Sequence, residues 1–394
     1  MTTEIIVGDN LKILREMESG SVQCVVTSPP YWGLRTYGVE KAIGMEETLD
    51  SHIENLVDIF REVRRVLHDD GTLWLNYGDM YTGSQRIISV DKNSTQATNR
   101  HSVNICKSTT TPFRKFPQGF KPKDLILAGA MLAMRLQADG WYLRSEIIWS
   151  KPNPMPESVT DRPTCAHEKI YLLSKSSRYF YDYMGVKTPS VWGNGKRKRE
   201  PDGMVNGIRS MDKQSGHGPR HDGFNERWRE RESEMRANLR NVWNITTAGF
   251  SEAHFATFPE QIPEICILAG TSRKGVCGNC GGQWRRGVNK SEGGIRRWND
   301  DNRLLTGKTG SVGDSTYIPP KENGWEPAQE GCEEAAIRPP VVLDPFGGAG
   351  TTGLVADKLG CDSILIEINP EYAEIARKRI ELSNPMFSRV VLVS

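Results

Sequence analysis

The chain has 394 residues, a net charge of +2 and eight cysteines. That length holds one large α/β domain with a smaller module, and no apolar stretch is long enough to cross a membrane as a helix. Near-neutral charge excludes a uniformly basic nucleic-acid binder, so any such surface must come from local clusters. Irregular cysteine spacing excludes a disulfide framework and points to a reducing cytoplasm.

Glu4 to Val7 reads as a strand ending at Gly8-Asp9, with no secretory-signal pattern around it. An amphipathic helix follows through Leu11, Ile13, Leu14 and Met17, and Gly20 ends it. Val22 to Val26 is the next strand, and it delivers Thr27-Ser28-Pro29-Pro30-Tyr31-Trp32. Two prolines fix φ at consecutive positions and remove two N–H donors, so nearby carbonyls point outward unpaired. The loop offers acceptors and aromatic faces, with no metal ligand and no strong base. That suits a flat heterocycle bearing an amino group, although the same residues can also make a surface turn.

Leu49 to Leu67 has helical spacing at Ile53, Leu56, Ile59, Phe60, Val63 and Leu67, closed by Asp70-Gly71. Thr72 to Leu75 is a strand, Leu125 to Leu136 an apolar helix, and Tyr142 to Trp149 another strand. Helices alternating with short hydrophobic strands predict a mostly parallel sheet covered on both faces. Two segments break that rhythm. Residues 84–119 are polar and without periodicity, and read as a long loop. Residues 185–240 carry Lys196, Arg197, Lys198 and Arg199 in a row, with further arginines and with Trp192, Phe224 and Trp228 interleaved. By itself such a run is ordinarily a solvated face.

A third insertion, roughly 275–335, opens with Cys277-Gly278-Asn279-Cys280-Gly281. This knuckle can offer two thiolates to zinc. A second pair should follow, yet only Cys332 lies downstream, while His254 and Cys266 lie too early for zinc-ribbon spacing. A bound zinc and an empty knuckle both stay open. Then Val341-Val342-Leu343-Asp344-Pro345-Phe346-Gly347-Gly348-Ala349-Gly350-Thr351-Thr352-Gly353 reads as a buried strand, a glycine-rich turn and a helix start. Such a turn brings backbone close to a nucleotide-like cofactor. The next strand, Ser363 to Ile366, ends in Glu367, where doubly wound folds hold ribose hydroxyls.

Thr-Ser-Pro-Pro-Tyr and Asp-Pro-Phe-Gly-Gly-Ala-Gly-Thr-Thr together resemble the catalytic and cofactor loops of one family. These are the S-adenosylmethionine-dependent DNA methyltransferases that modify exocyclic amino groups. The catalytic loop precedes the cofactor loop, which resembles the circularly permuted beta subgroup. The resemblance covers roughly residues 1–83, 120–182 and 244–385. It implies a Rossmann-like, doubly wound, mostly parallel α/β sheet with an inserted target-recognition region. Residues 1–183 would be the catalytic half, 184–243 the recognition region and 244–394 the cofactor half.

The resemblance implies roles residue by residue. Ser28, Pro29, Pro30 and Tyr31 would handle the base, with Ser28 and the Pro29 carbonyl accepting from the amino group and Tyr31 stacking. Trp32 would pack beneath the loop. Asp9 would lie by the cofactor's adenine end, and Asp344, Pro345, Phe346, Gly348 and Gly350 at its methionine end, with Glu367 on the ribose. Thr351 and Thr352 would cap the helix or contact cofactor. His254 to Pro259 resembles the remaining cofactor-side motif, with Phe258 and Pro259 contacting the methionine moiety. Lys196 to Arg199 would meet the phosphates of double-stranded DNA, and the 84–119 loop could order on it. Serine opening the tetrapeptide points to N4 of cytosine, with N6 of adenine as the alternative. A non-catalytic DNA-binding protein on the same scaffold is the alternative of another class. A cytoplasmic enzyme of a bacterial, archaeal or phage-infected cell is implied. A homodimer and a cognate restriction nuclease are the further partners the resemblance allows.

Overall fold

The computed structural model describes residues 1–33, 43–82, 119–189, 236–247, 258–289, 294–297, 315–318, 321–384 and 389–393. Residues 84–118, the Lys196 to Arg199 run and His254 to Thr257 lie outside the described residues. The chain divides into two compact units, Met1–Asp182 with Asn241–Ser394, and Tyr183–Arg240. Within the second, Thr188–Pro189 pairs antiparallel with Arg236–Ala237.

Among the described residues the first unit is built on one nine-stranded sheet. Its strands in chain order are β1 Thr2–Val7, β2 Val22–Thr27, β3 Leu67–Tyr77, β4 Tyr142–Ser150 and β5 His167–Ser174. They continue as β6 Val242–Asn244, β7 Val341–Asp344, β8 Asp362–Glu367 and β9 Arg389–Val393. The spatial order is β9-β1-β8-β7-β2-β3-β5-β4-β6. Only β5 runs antiparallel to its neighbours, so the sheet is mostly parallel and doubly wound.

Strand alternation sorts the helices onto two faces. The helices are α1 Asn10–Glu16, α2 Leu49–Val66, α3 Ala128–Ala138, α4 Gln261–Gly270, α5 Thr351–Lys358 and α6 Pro370–Ser383. Val25, Leu73 and Leu75 point into a core shared with Leu14 of α1, Ile53 and Phe60 of α2 and Leu132 of α3. Their neighbours Cys24, Thr72 and Trp74 face the other way, where Gly270 of α4 meets them. A Cβ on Gly270 would stand 2.6 Å from the Thr72 hydroxyl, so the close approach of helix to sheet requires glycine. Helices α5 and α6 close the second core through Leu354, Ala373, Ala376 and Ile380 against Ile5 and Leu365.

Local signals set the helix starts. Asp9 accepts from the Lys12 N–H, Thr48 from the Ser51 N–H and Asn369 from the Glu371 N–H. Helix α2 stops at Val66, not at Asp70-Gly71, because Leu67 to Gly71 already belongs to strand β3. No helix among the described residues is long and apolar enough to cross a membrane.

Candidate active site

Strands β2 and β7 lie side by side and parallel, with Cys24 opposite Val342 and Val25 opposite Leu343. Their carboxyl ends therefore deliver the Ser-Pro-Pro-Tyr loop and the glycine-rich turn to one edge of the sheet. Strand order reverses there, which is where open α/β sheets form a crevice. Asp344 binds the two loops together. Its Oδ1 accepts from the Thr27 hydroxyl at 2.6 Å and the Phe346 N–H at 3.1 Å. Its Oδ2 accepts from the Thr352 hydroxyl at 2.8 Å. Burial pushes the Asp344 carboxyl up to about 6, against the pull of these three donors.

The glycine turn is held from the neighbouring strand. Gly347 donates to the Ile366 carbonyl at 2.8 Å, and Gly348 donates to Glu367 Oε2 at 2.8 Å. Glu367 Oε1 accepts from the Asn369 N–H at 2.9 Å, so each carboxylate oxygen has lone-pair capacity left for an incoming hydroxyl. Burial raises the Glu367 carboxyl above its ordinary range. Val7 pairs with Glu367, and the Asn10 side chain donates to the Pro345 carbonyl at 3.1 Å. Asp9, Pro345, Gly348 and Glu367 are thereby gathered at the ends of three adjacent strands.

The threonines do not cap α5. Its N-cap is Gly350, in the left-handed region at φ 75°, and a Cβ there would stand 2.7 Å from the Cβ of Ala376. Thr352 is taken by Asp344, and the Thr351 hydroxyl accepts from Arg379 at 2.8 Å. Arg379 also donates to the Ala349 carbonyl at 3.2 Å and reaches Glu260 at 3.5 Å. Pro259 is buried and Phe258 half-buried just before Glu260, so this arginine ties their segment to the glycine turn.

In the Ser-Pro-Pro-Tyr loop, Ser28 donates to the Tyr31 hydroxyl at 3.4 Å. The Tyr31 hydroxyl has Glu168 Oε2 at 3.0 Å and Asn76 Oδ1 at 3.3 Å, and its single proton goes to the nearer carboxylate. Asn76 donates to the same Glu168 oxygen at 3.2 Å, and Lys151 binds Glu168 Oε1 while lying over the Trp149 ring. The Tyr31 ring packs 4.7 Å from that of Tyr77. Gly78 leaves it room, since a Cβ there would fall 2.6 Å from Tyr31 Cε2. Burial first, and the Glu168 charge second, push the Tyr31 phenol well above its ordinary value, so it stays protonated. Trp32 is fully buried beneath the loop and donates from its indole to the Glu46 carbonyl at 2.9 Å.

Asn76, Lys151 and Glu168, gathered around Tyr31, are candidate site residues that no motif marks. The available signal is a polar side chain inside an otherwise apolar strand, as Asn76 is in Leu73 to Tyr77. Glu168 and Lys151 carry no spacing that points to Tyr31. Away from this edge, Cys277 and Cys280 come together with Cys332, all three sulfurs lying within 4.8 Å of one another.

A DNA methylase family model matches residues 22–278 and 336–378. The Type II methyltransferase M.SmaI of Serratia marcescens is 38% identical over 379 residues, 96% of this chain and 90% of that protein. The Type II methyltransferase M.Cfr9I of Citrobacter freundii is 36% identical over 374 residues, 95% of this chain and 86% of that protein. Among solved structures, the PvuII DNA methyltransferase (cytosine-N4-specific) is similar in fold. Its TM-score is 0.51 at 16% identity, covering 96% of this chain and 87% of that one.

Proposed function

The chain belongs to the DNA methylase family, whose members take a methyl group from S-adenosylmethionine, and from that premise we propose that it methylates N4 of cytosine within a specific duplex site. The observation carrying this reading is the junction of the Ser28-Pro29-Pro30-Tyr31 loop with the glycine turn at the ends of β2 and β7, fastened by Thr27 and Asp344. Serine at the head of the tetrapeptide supports cytosine.

The residues present fit S-adenosylmethionine. A Cβ on Gly348 would meet only the Phe346 carbonyl oxygen, at 3.9 Å, and Glu367 keeps acceptor capacity at the strand end. Asp9, Phe258, Pro259, Pro345, Phe346, Gly350 and Thr351 would complete the cofactor's surroundings. The cofactor supplies an electrophilic methyl on a sulfonium. Asp344 fastens the two loops through Thr27, Phe346 and Thr352, and its Oδ2, with one donor, keeps acceptor capacity toward the methionine end.

An exocyclic amino nitrogen is a poor nucleophile, because its lone pair is delocalised into the ring. In our reading Ser28 and the Pro29 carbonyl accept its hydrogens and localise that lone pair, and transfer is direct, with no cysteine in the loop to attack the base. Most of the acceleration would come from orientation and preorganised dipoles. A duplex hides the nitrogen, so the base is flipped out and stacks on Tyr31. Tyr31 is suited to this because Tyr77, Gly78 and Glu168 already fix its ring. Glu168, Asn76 and Lys151 are then positioning residues for Tyr31. Residues 184–243 would read the site, with Lys196 to Arg199 on phosphates. The Type II names of the relatives support a companion restriction nuclease.

Incubation with unmethylated duplex DNA and S-adenosylmethionine, followed by nucleoside mass spectrometry, tests the reading. N4-methylcytosine is the expected product. N6-methyladenine would transfer the same chemistry to the other base, and no methylated nucleoside from folded, cofactor-binding protein would reject catalysis.

A further inference from the structure

We propose that Cys277, Cys280 and Cys332 form a structural zinc site that fastens both ends of the 280–332 segment to the amino-terminal edge of the central sheet. The sulfurs of Cys280 and Cys332 are 3.5 Å apart, and all three lie within 4.8 Å of one another. Tetrahedral zinc with Zn–S bonds of about 2.3 Å holds its sulfurs about 3.8 Å apart. The Cys280–Cys332 pair is already near that spacing, and the Cys277 sulfur lies within 4.8 Å of both.

The knuckle backbone is arranged around the sulfurs. Gly281 closes the turn by donating to the Cys277 carbonyl at 2.9 Å, with φ at 74°. Gly282 donates to Cys280 Sγ at 3.4 Å. Three cysteines from positions 52 residues apart meet at one point, two on the knuckle and one on the returning chain. Among the described residues no other Cys, His, Asp or Glu joins them. The described residues thus supply three of the four ligands of tetrahedral zinc.

Its place in the fold makes this site structural. The Gly281 carbonyl accepts from Gln23 at 3.1 Å, and the same Gln23 accepts from the Val341 N–H at 2.8 Å. His68 contacts the Cys280 carbonyl at 3.1 Å through Nε2 and Asp70 at 2.7 Å through Nδ1. Gln23, His68 and Asp70 stand at the beginnings of β2 and β3, and Val341 begins β7. The Ser-Pro-Pro-Tyr loop and glycine turn leave the opposite ends of those strands. The metal would hold the cofactor strand and its inserted segment in place without touching the chemistry.

The full chain, purified under reducing conditions, should carry about one zinc by elemental analysis. Replacement by cobalt(II) should give thiolate-to-metal charge-transfer absorption. Cys332→Ser should weaken that absorption, lower metal occupancy and speed protease cutting between 285 and 331, while S-adenosylmethionine affinity stays unchanged. Exposed Cys165→Ser should alter none of these. Should Cys332→Ser fail to fold, chelation of the unaltered protein gives the same reading through a lower Tm. Metal-free folded protein that gives no charge-transfer band with cobalt(II) would overturn the proposal. So would a Cys280–Cys332 disulfide recovered from the native protein, or full occupancy persisting in Cys332→Ser.

Discussion

Thr27 donates its hydroxyl to Asp344 Oδ1 at 2.6 Å, from the last residue of one central strand to the last residue of its parallel neighbour. One side of this bond carries the loop proposed to hold the base, the other the turn proposed to hold the methyl donor. Thr352 adds a second tie to the same carboxylate at 2.8 Å. Relative placement of the two loops is thus set by a buried group, Asp344 being 2% exposed.

Asp344 should make stability pH-dependent. Its carboxyl lies at about 6 in the fold against 3.8 ordinarily, so the folded state binds the proton more tightly than the unfolded state. That contribution is fully present below pH 3.8, declines as pH rises and is lost above about 6. Two pKa units correspond to roughly 3 kcal/mol. Asp344→Asn removes this titration, so wild-type stability relative to the variant should fall across that window and then level. Urea unfolding of both proteins from pH 4 to 8 measures it. A constant difference would show that Asp344 does not titrate there.

Tyr31→Phe deletes the donor to Glu168 and leaves the ring packing on Tyr77. Loss of a hydrogen bond to a partly buried charged group such as Glu168 costs roughly 1–3 kcal/mol. We expect slower single-turnover methylation, about tenfold or more, with unchanged cofactor affinity by calorimetry. Gly78→Ala should act in the same direction by displacing the ring, since its Cβ would fall 2.6 Å from Tyr31 Cε2. Lost cofactor binding with unaltered duplex binding would reverse the assignment of the two loops.

Glu367→Gln replaces one acceptor oxygen by an N–H donor beside the Gly348 and Asn369 amides. One bonded amide then faces a donor, and an incoming hydroxyl loses an acceptor. S-adenosylmethionine should bind about tenfold more weakly, or roughly 1.4 kcal/mol. Calorimetric titration at pH 8 measures this. Equal affinities would remove Glu367 from the cofactor site.

Neutralising Lys196, Arg197, Lys198 and Arg199 should weaken duplex binding and flatten its dependence on salt by about 0.9 unit per phosphate contact removed. Cofactor affinity should hold, because both strand-end loops stay intact. Fluorescence anisotropy over a salt series gives the slope. An unchanged slope would leave the run as a solvated face.

Much of the fold was legible because its cues are local. Short continuous apolar runs marked β1, β2 and β8, helical spacing marked α2, and a glycine turn followed by a strand ending in Glu367 marked β7, α5 and β8 as one unit. The order of the two loops, read against the family resemblance, was enough to anticipate a mostly parallel sheet. Tertiary structure decided which groups share one point in space. Thr27 and Asp344 are 317 residues apart, and Tyr31 and Glu168 are 137 apart, so no spacing rule joins them. Thr351 and Thr352, read as either caps of α5 or cofactor contacts, do not cap it but bond Arg379 and Asp344, because a charged partner is a stronger draw than a cap. Cys332 likewise looked unpaired along the chain. It meets Cys277 only because Cys277 pairs with Ile337 across an antiparallel bridge, returning the chain to the knuckle. Backbone propensity acts over a few residues, whereas the chemistry of a site depends on side chains that only packing brings within bonding distance.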